Sequence, residues 1–318
     1  MSKLVFVALK ADCVYRQLAR IISRGNGMFS KKLGVIGGSG IYEIEGVEHG
    51  KWVSVETPFG APSDELFTGS LNGLDVVFLP RHGRGHVHNP SNVPYQANIC
   101  ALKMLGVTDV VGLSACGSLR EEMKPGDFVL VDQFIDRTFK REKSFFTQGC
   151  VAHVSLADPT CGRISAICRQ AMQQLDVTFH DQGTYLVMEG PQFSTKAESL
   201  LYRENWKCDV IGMTNMPEAK LAREAEICYS SVAMVTDFDC WHPDHENVEV
   251  SDIINTLTSN ASTAKSLVKK IATMMRPGRE LCCHGCDRAL EHAIITDRSK
   301  ISEAEKNRLK PIAGRILD

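Results

Sequence analysis

The segment VTDFDCWHPDH, residues 235–245, places three carboxylates, two imidazoles and one thiol within eleven residues. Aspartate and histidine are good ligands for metal ions. A carboxylate in a closed site can also hold a proton or accept hydrogen bonds from a bound base. The segment therefore favours either a metal site or a site that recognises a substrate, and the rest of the chain has to distinguish the two.

Three other stretches carry groups that suit an anion. GGSG at 37–40 fits neither the Rossmann nor the Walker A pattern, and remains either a simple turn or one whose N–H groups and Ser39 hydroxyl bind an anion. RHGRGHVH at 81–88 joins two arginines and three histidines without an acid, which suits either a phosphate or a solvated basic loop. SACGS at 114–118 offers hydroxyls and small residues, so a ligand can approach the backbone.

The elements that position these groups alternate between strands and helices. Short apolar runs bounded by Gly or Pro predict buried strands from Leu33 and at 75–80, 108–116, 126–135, 183–190, 208–214 and 226–237. Helical spacing and capping signals predict helices at 92–106, 161–176, from Thr195 through Trp206, from Pro217, and at 251–275. The alternation predicts a single α/β domain around one sheet. Because carboxyl ends of parallel strands meet in one crevice, we expect the three anion-friendly loops to converge there.

Composition excludes several classes of function. The chain has 318 residues, 43% of them hydrophobic, which is ample for a packed core. A formal charge of −2 gives no general basic surface, so we expect no nucleic-acid partner. No run of 18 apolar residues is present, so we expect no membrane partner.

The twelve cysteines lack the spacing of a disulfide framework, which indicates reduced thiols in the cytoplasm. One stretch stands apart: Cys282-Cys283-His284-Gly285-Cys286 contains a C-x-x-C, with His292 nearby. A zinc site needs four ligands and no second C-x-x-C is present, so zinc and a local disulfide are alternatives to the preferred interpretation, plain thiols.

The two ends of the chain differ from its middle. Residues 1–32 are basic with a single acid, and suit a transit-like peptide, a stretch upstream of a true start at Met28, or, as we prefer, a weakly ordered extension. Residues 33–276 carry the periodic pattern of the domain. The polar tail at 277–318, with a possible short helix at 287–294, is expected to pack on the domain or on a neighbouring subunit.

A set of colinear motifs from about Leu33 to residue 272 resembles the S-methyl-5′-thioadenosine phosphorylases, which are of the purine nucleoside phosphorylase type. The motifs are IGGSGIY, ETPFGAPSD, RHGRGH, YQANICALK, SACGSLRE, PGDFVLVDQFIDRT, MEGPQFSTKAES and VIGMTNMPEAKLAREAEICYSSVAMVTDFDCW. The resemblance implies a single-domain, three-layer α/β/α nucleoside phosphorylase fold with a central mixed, partly barrel-like sheet. It also implies a cytoplasmic homotrimer with active sites at subunit interfaces.

The implied reaction is phosphorolysis of S-methyl-5′-thioadenosine to adenine and 5-methylthioribose-1-phosphate, in purine and methionine salvage. The resemblance implies inorganic phosphate as co-substrate, a nucleoside as the small-molecule partner, and neither a metal nor an organic cofactor. Carried over by position, the phosphate site comprises Ser39, Arg81, His82, Ser114, Ala115 through its backbone, and Thr214.

The nucleoside residues are implied in the same way. Phe193 would stack on the purine and Met213 would lie against the ribose, while Ser194 and Val250 match positions linked to substrate choice. His153 matches a histidine that a neighbouring subunit lends to the 5′ end of the substrate. Asp237 would serve purine N7 as the catalytic acid, and Asp239 would accept from the 6-amino group of adenine.

Other functions remain open at this stage. A 6-oxopurine or methylthioinosine phosphorylase would share the fold, but the resemblance implies Asn at the position of Asp237 in such enzymes, and the carboxylate of Asp239 would repel a 6-oxo oxygen. A metal-dependent hydrolase built on 235–245 belongs to a different class, and Cys282 with Cys286 would then add a structural zinc. A nucleoside-binding protein without turnover is the remaining alternative.

Overall fold

The computed structural model describes residues 31–38, 44–243, 250–275 and 281–317, and for 250–255 the backbone. Eleven strands form one mixed sheet. In chain order they are β1 Lys32–Gly37, β2 Glu48–Val53, β3 Leu66–Leu71, β4 Leu74–Pro80, β5 Asp109–Ser118, β6 Phe128–Val131, β7 Gln133–Asp136, β8 Phe179–His180, β9 Thr184–Val187, β10 Val210–Gly212 and β11 Cys228–Asp237.

Four parallel strands lie side by side in the order β4, β1, β5, β11. All four are nearly buried along their whole length and rich in β-branched residues, as strands covered on both faces should be. Their carboxyl ends therefore meet at one edge of the sheet, which is where ligands bind in α/β proteins. The predicted convergence of strand ends is present.

The sheet divides at β5. Along one edge β5 pairs first with β1 and then, near its end, with antiparallel β10, where Val210 lies opposite Ser118. Along its other edge it pairs with β11. The strands β9 and β7 continue from β10, while β6 and β8 continue from β11. Because three strands flank β5, the sheet bends around the carboxyl end of β5 instead of forming one flat layer.

Helices cover both faces. In chain order they are α1 Tyr95–Met104, α2 Gly162–Met172, α3 Lys196–Leu200, α4 Glu218–Glu224, α5 Val250–Met274 and α6 Glu303–Leu317, with a π-helical turn at Leu201–Asn205 after α3. The apolar sides of α1, α4 and α6 pack into one core cluster. Those of α2 and α5 pack into a second. The result is a three-layer α/β/α arrangement, as predicted.

Most sequence predictions of elements agree with the structure. The Thr195 hydroxyl accepts from the Glu198 N–H at 3.3 Å, and the Glu198 carboxylate accepts from the Thr195 N–H at 2.8 Å, which forms the predicted capping box. The single strand predicted at 126–135 is wrong in detail. It is interrupted at Asp132, whose carboxylate accepts from the Gly183 N–H at 3.0 Å, and forms β6 and β7.

The tail also contains a helix that the sequence analysis did not predict. The helix α6 spans fifteen residues and buries Leu309, Ile312, Ala313 and Leu317 against the cluster that contains α1. Pro311 inside the helix argued against it in the sequence, but the Ser302 hydroxyl accepts from the Glu305 N–H at 3.2 Å, an N-cap signal that the sequence contains. At 287–294 the chain forms only a 3-10 turn, Cys286–Arg288, and bends.

The tail packs on the same chain. Arg315 forms an ion pair with Glu226 at 2.7 Å, and the Leu290 N–H donates to the same carboxylate at 3.1 Å. Ile294 bridges to Ala152. None of the described helices is long and apolar enough to cross a membrane. The predicted N-terminal extension lies outside the described residues, except for 31 and 32.

Candidate active site

The carboxyl edge of the four parallel strands gathers most of the predicted site residues. Arg81 follows β4, Ser114 and Ala115 lie on β5, Thr214 follows β10, and Asp237 ends β11. Ser39 lies outside the described residues, although β1, which precedes it, ends at the same edge. The fold therefore places these described residues of the predicted site at one edge of the sheet.

Arg81 is buried and paired with an acid, contrary to the expectation of an uncompensated cation. Its Nε lies 2.5 Å and its Nη2 3.1 Å from the two carboxylate oxygens of Glu218, and its Nη1 donates to the Leu113 carbonyl at 2.8 Å. Glu218 opens α4, far from Arg81 in the sequence, so no local pattern shows the pair. These three contacts leave two of the five N–H groups of the guanidinium for a ligand.

Arg84 is also compensated. It binds Asp64 at 2.7 Å and Glu65 at 3.0 Å, and its guanidinium lies 4.2 Å from the centre of the Trp52 ring. The expectation that the loop 81–88 lacks acidic partners is therefore wrong for both arginines. The loop is a folded, ion-paired element, and the groups that remain for binding are its histidines and the two unused N–H groups of Arg81.

The burial of His82 determines its protonation. Burial, and then the neighbouring Arg81 charge, lower the pKa of His82 to about 4, so the ring is neutral near pH 7. Its Nδ1 lies 2.9 Å from the His88 carbonyl and must therefore carry the proton. Its Nε2 is then an acceptor, and the ring is held by stacking on His86 at 4.3 Å.

A buried group of amide and hydroxyl side chains supports Ser114. The Nδ2 of Asn215 donates to Ser114 at 3.1 Å and to Ser231 at 2.9 Å, and its Oδ1 accepts from the Tyr229 hydroxyl at 3.3 Å. Asn215 is fully buried in a left-handed conformation. The sequence analysis gave Asn215 no role in the site. It fixes the orientation of the Ser114 hydroxyl, while Thr214 beside it is buried as well.

Asp237 ends β11 against the backbone of β5. A Cβ at Gly117 would lie 2.8 Å from its Oδ1, so the close approach requires a glycine there. The carboxylate accepts from the Thr236 hydroxyl at 2.7 Å and from the Asp239 N–H at 2.8 Å. Burial raises the pKa of Asp237 above its ordinary value, because these two hydrogen bonds offset only part of the loss of solvent.

Asp239 lies on the same loop in a left-handed conformation with φ of 52°. Burial, partly opposed by a hydrogen bond from Ser199, and the nearby Asp237 charge raise the pKa of Asp239 to about 6. The Ser199 hydroxyl donates to its Oδ2 at 2.5 Å. Sequence reasoning missed Ser199; its position one turn after the Thr195 cap was the only available signal.

The predicted nucleoside residues lie on neighbouring segments. Phe193 is 44% exposed, which is unusual for a phenylalanine and leaves its ring free to stack. Met213 is half-buried and lies against Gly190. The Ser194 hydroxyl lies 3.7 Å from the Met188 sulfur, and its carbonyl accepts from the Cys240 thiol at 3.4 Å. The last contact ties this segment to the loop that follows Asp239.

Two predicted residues are placed only in part. Val250 begins α5, and its side chain lies outside the described part. His153 is exposed on a loop, and its own backbone N–H donates to the Ala293 carbonyl of the tail at 2.8 Å. The side chain of His153 is therefore accessible on its own chain.

The described part of the segment 235–245 shows no metal-binding arrangement. The Trp241 indole donates to the Ser118 carbonyl at 2.7 Å, and the His242 ring lies 3.1 Å from the Glu121 carboxylate. Asp244 and His245 lie outside the described residues. The ring of Trp241 is buried with Phe238, so this segment forms a small core that holds the two acids in place.

Comparison with known proteins identifies the family. The model of the phosphorylase superfamily matches residues 32–273. An S-methyl-5′-thioadenosine phosphorylase of Cereibacter sphaeroides is 64% identical over 285 residues, which are 90% of this chain and 98% of that protein. The chain belongs to the S-methyl-5′-thioadenosine phosphorylase family. The family indicated by the sequence motifs is thus confirmed.

Other members of the S-methyl-5′-thioadenosine phosphorylase family agree. A relative from Synechocystis is 43% identical across 99% of this chain and 98% of its own. A methylthioadenosine phosphorylase from an antarctic soil metagenomic library matches with a TM-score of 0.82 at 44% identity, over 89% of this chain and 99% of that one. The Schistosoma mansoni enzyme in complex with adenine gives 0.73 at 34%, over 89% and 98%. The predicted nucleoside phosphorylase fold is confirmed.

Proposed function

We propose that this protein catalyses the phosphorolysis of S-methyl-5′-thioadenosine, in which phosphate displaces adenine and 5-methylthioribose-1-phosphate forms. The observation that carries the proposal is the pair Asp237 and Asp239. Asp239 is buried and Asp237 half-buried at the carboxyl edge of the sheet, and both have a raised pKa. A purine needs a proton or hydrogen bond at N7 to leave and an acceptor for its 6-amino group, and this pair offers both.

Phosphate binds opposite the acids in this proposal. The free N–H groups of Arg81, the hydroxyls of Ser39, Ser114 and Thr214, and the backbone of Ala115 donate to its oxygens. His82 contributes differently: its neutral Nε2 accepts from the protonated oxygen of hydrogen phosphate. The Arg81–Glu218 pair holds the guanidinium rigidly, so binding requires little reorganisation.

The glycosidic bond stretches before phosphate attacks. Positive charge builds on the ribosyl ring and negative charge on the departing adenine. The phosphate dianion stabilises the first, and Asp237 stabilises the second by sharing its proton with N7. A raised pKa suits this role, because it favours the protonated form that can give a proton to N7. No covalent intermediate on the protein is required.

Asp239 recognises the purine base by its 6-substituent. Ionised, it accepts from the 6-amino group of adenine, whereas the 6-oxo oxygen of hypoxanthine would face a like-charged acceptor. Ser199 fixes the rotamer of Asp239 through the 2.5 Å hydrogen bond. The main alternative within the family, a 6-oxopurine or methylthioinosine phosphorylase, conflicts with two acids at the base.

The sugar and its 5′ group contact the remaining residues. Phe193 stacks on the purine, Met213 lies along the ribose, and Ser194 and Val250 shape the 5′ pocket. The exposed position of His153 suits a homotrimer in which His153 of the partner subunit completes that pocket. The reaction needs only the nucleoside and phosphate, and no metal takes part in the chemistry.

The experiment is the release of adenine from S-methyl-5′-thioadenosine with and without phosphate. We expect release to require phosphate and to yield one 5-methylthioribose-1-phosphate for each adenine. Release that does not depend on phosphate would point to a hydrolase, and no release would overturn the assignment.

A further inference from the structure

A second cluster of reactive side chains lies far from the acids. The sulfurs of Cys161, Cys228, Cys282 and Cys286 all lie within 4.8 Å of one another, and all four residues are buried. They belong to the apolar cluster under α2 and α5. The tail motif alone suggested plain thiols because a second C-x-x-C was missing. The two missing sulfurs come from positions separated by more than fifty residues from each other and from the motif.

The spacing of the sulfurs fits one tetrahedral metal ion. With metal–sulfur bonds of about 2.3 Å, tetrahedral geometry places neighbouring sulfurs about 3.8 Å apart. The separation between the Cys161 and Cys282 sulfurs is 3.5 Å, and no pair exceeds 4.8 Å. A disulfide would require about 2.05 Å. An iron–sulfur cluster would hold the thiolates farther apart, because its own atoms occupy the centre.

Three separate elements supply the sulfurs, and each is rigid. Cys161 is the N-cap residue of α2, and its N–H donates to the Tyr229 carbonyl at 2.7 Å. Cys228 is the first residue of β11. Such elements hold ligands in fixed positions, which a tetrahedral site requires.

The third element is a tight turn of the tail. Cys282 and Cys286 are separated by three residues, within the two to four usual between paired zinc ligands. The Gly285 N–H donates to the Cys282 carbonyl at 3.0 Å, and Gly285 adopts φ of 73°. The turn docks closely on α2, because a Cβ at Gly162 would lie 2.7 Å from the His284 ring.

An arginine beside the sulfurs has donors to spare. Arg163 lies two residues after Cys161 and pairs with Asp109, the residue opposite Cys228 in the sheet. Within the described part of the chain, its Nε and Nη1 are buried without a hydrogen-bond partner. Four thiolates around a divalent ion carry a net charge of −2, and buried N–H groups next to such a site stabilise that charge.

We propose that Cys161, Cys228, Cys282 and Cys286 bind one structural zinc ion. All four coordination positions are filled by protein, so the ion has no place for water or substrate. The site also lies away from the chemistry: Cys228 and Asp237 are the two ends of a ten-residue strand, which at about 3.3 Å per residue separates them by roughly 30 Å. The ion fastens the tail to the domain.

Metal analysis of the full-length protein, purified without chelator, tests the proposal. We expect about one zinc per chain and loss of that zinc in Cys282→Ser. The matched control is Cys283→Ser, which changes the adjacent, exposed thiol and should keep the full zinc content. After unfolding in chelator, all twelve thiols of the wild-type chain should react.

Three results would overturn the proposal. One is a wild-type protein without stoichiometric metal, a result that does not depend on whether any variant folds. Another is fewer than twelve reactive thiols after unfolding, which would indicate disulfides. The third is iron in place of zinc. Each is independent of adenine release, so the zinc site and the proposed reaction can fail separately.

Discussion

The two ends of β11 are built from opposite principles. At Cys228 the sheet ends in a cluster of four buried sulfurs that face one another and leave no opening for a ligand. At Asp237 it ends in two carboxyl groups, one half-buried and one buried, whose hydrogen bonds offset only part of the lost solvation, so that their pKa values rise. The first arrangement suits a tightly bound structural metal ion. The second holds groups whose protons are ready to be exchanged with a substrate.

The comparison shows why the carboxyl end is the reactive one. Polar groups at both ends are nearly removed from water, so burial alone does not mark a catalytic site. The difference lies in the chemistry of the groups that are brought together at each end. Asp237 and Asp239 share a single loop and a few hydrogen bonds, whereas each cysteine has three sulfurs as neighbours. Function follows the end whose acids have raised pKa values, because perturbed pKa values cluster at functional sites.

The substitution Asp237→Asn should have the largest effect, and it should affect only the carboxyl end of β11. The amide cannot give a proton to N7, so we expect kcat/KM for adenine release to fall by about 10²–10⁴. Zinc content and thermal stability should stay unchanged, because the cysteines are at the far end of the strand. Asp75→Asn, at the start of β4 with a 55% exposed side chain, is the matched control and should behave as wild type.

Arg81→Met tests whether the carboxyl end also contains structural ion pairs. It leaves Glu218 buried without its cation, and we expect a loss of about 3–5 kcal/mol in the free energy of unfolding together with a higher KM for phosphate. The double variant Arg81→Met with Glu218→Gln should recover most of the stability but not the phosphate affinity. Recovery of both would show that Arg81 does not bind phosphate.

Zinc removal tests the other end. At a free zinc concentration about 100-fold above Kd, mass action stabilises the fold by about 2.7 kcal/mol, so chelation should lower Tm by about 4 °C in a chain of 318 residues. The tail pairs with the loop that carries His153, through the Ala152–Ile294 bridge, so KM for the nucleoside should rise more than kcat falls. Chelation of the control variant Cys283→Ser should change Tm, KM and kcat as much as chelation of the wild-type protein does. A large fall in kcat without a rise in KM would show that the ion takes part in the reaction.

Ser199→Ala is the finest test at the acid pair. The hydroxyl stabilises the ionised form of Asp239, so its loss should raise the pKa of Asp239 beyond about 6, by about one unit. Because Asp239 must be ionised to accept from adenine, activity falls as pH drops through this pKa. The acidic limb of the kcat/KM profile should therefore move to higher pH, while Tm near pH 8 changes little. An unmoved limb would assign that limb to another group.

The sequence predicted features that depend on neighbouring residues. The strand runs, the capping box at Thr195 and the acids after β11 were all visible as local patterns. The convergence of loops at one edge also followed, because parallel strands with β-branched runs leave few arrangements. These are the features for which spacing along the chain determines spacing in the fold.

Contacts between residues that are far apart in the sequence could not be predicted in this way. Glu218 compensates Arg81 from 137 positions away, and Ser199 reaches Asp239 across 40. The four sulfurs come together only because the tail turn docks beside the start of β11. The last helix is not evident from the sequence because it contains Pro311, and a proline within a helix is unfavourable. Packing of the helix against the core compensates for this cost.

The central claim is that the acids at the carboxyl end of β11 select an adenine base. Its most direct test is the ratio of kcat/KM for S-methyl-5′-thioadenosine to that for methylthioinosine, measured on the wild-type protein with saturating phosphate. We predict a ratio of at least about 10² in favour of the 6-amino substrate, since a site built to accept from an amino group rejects its 6-oxo analogue strongly. A ratio near one, or a preference for methylthioinosine, would contradict the account.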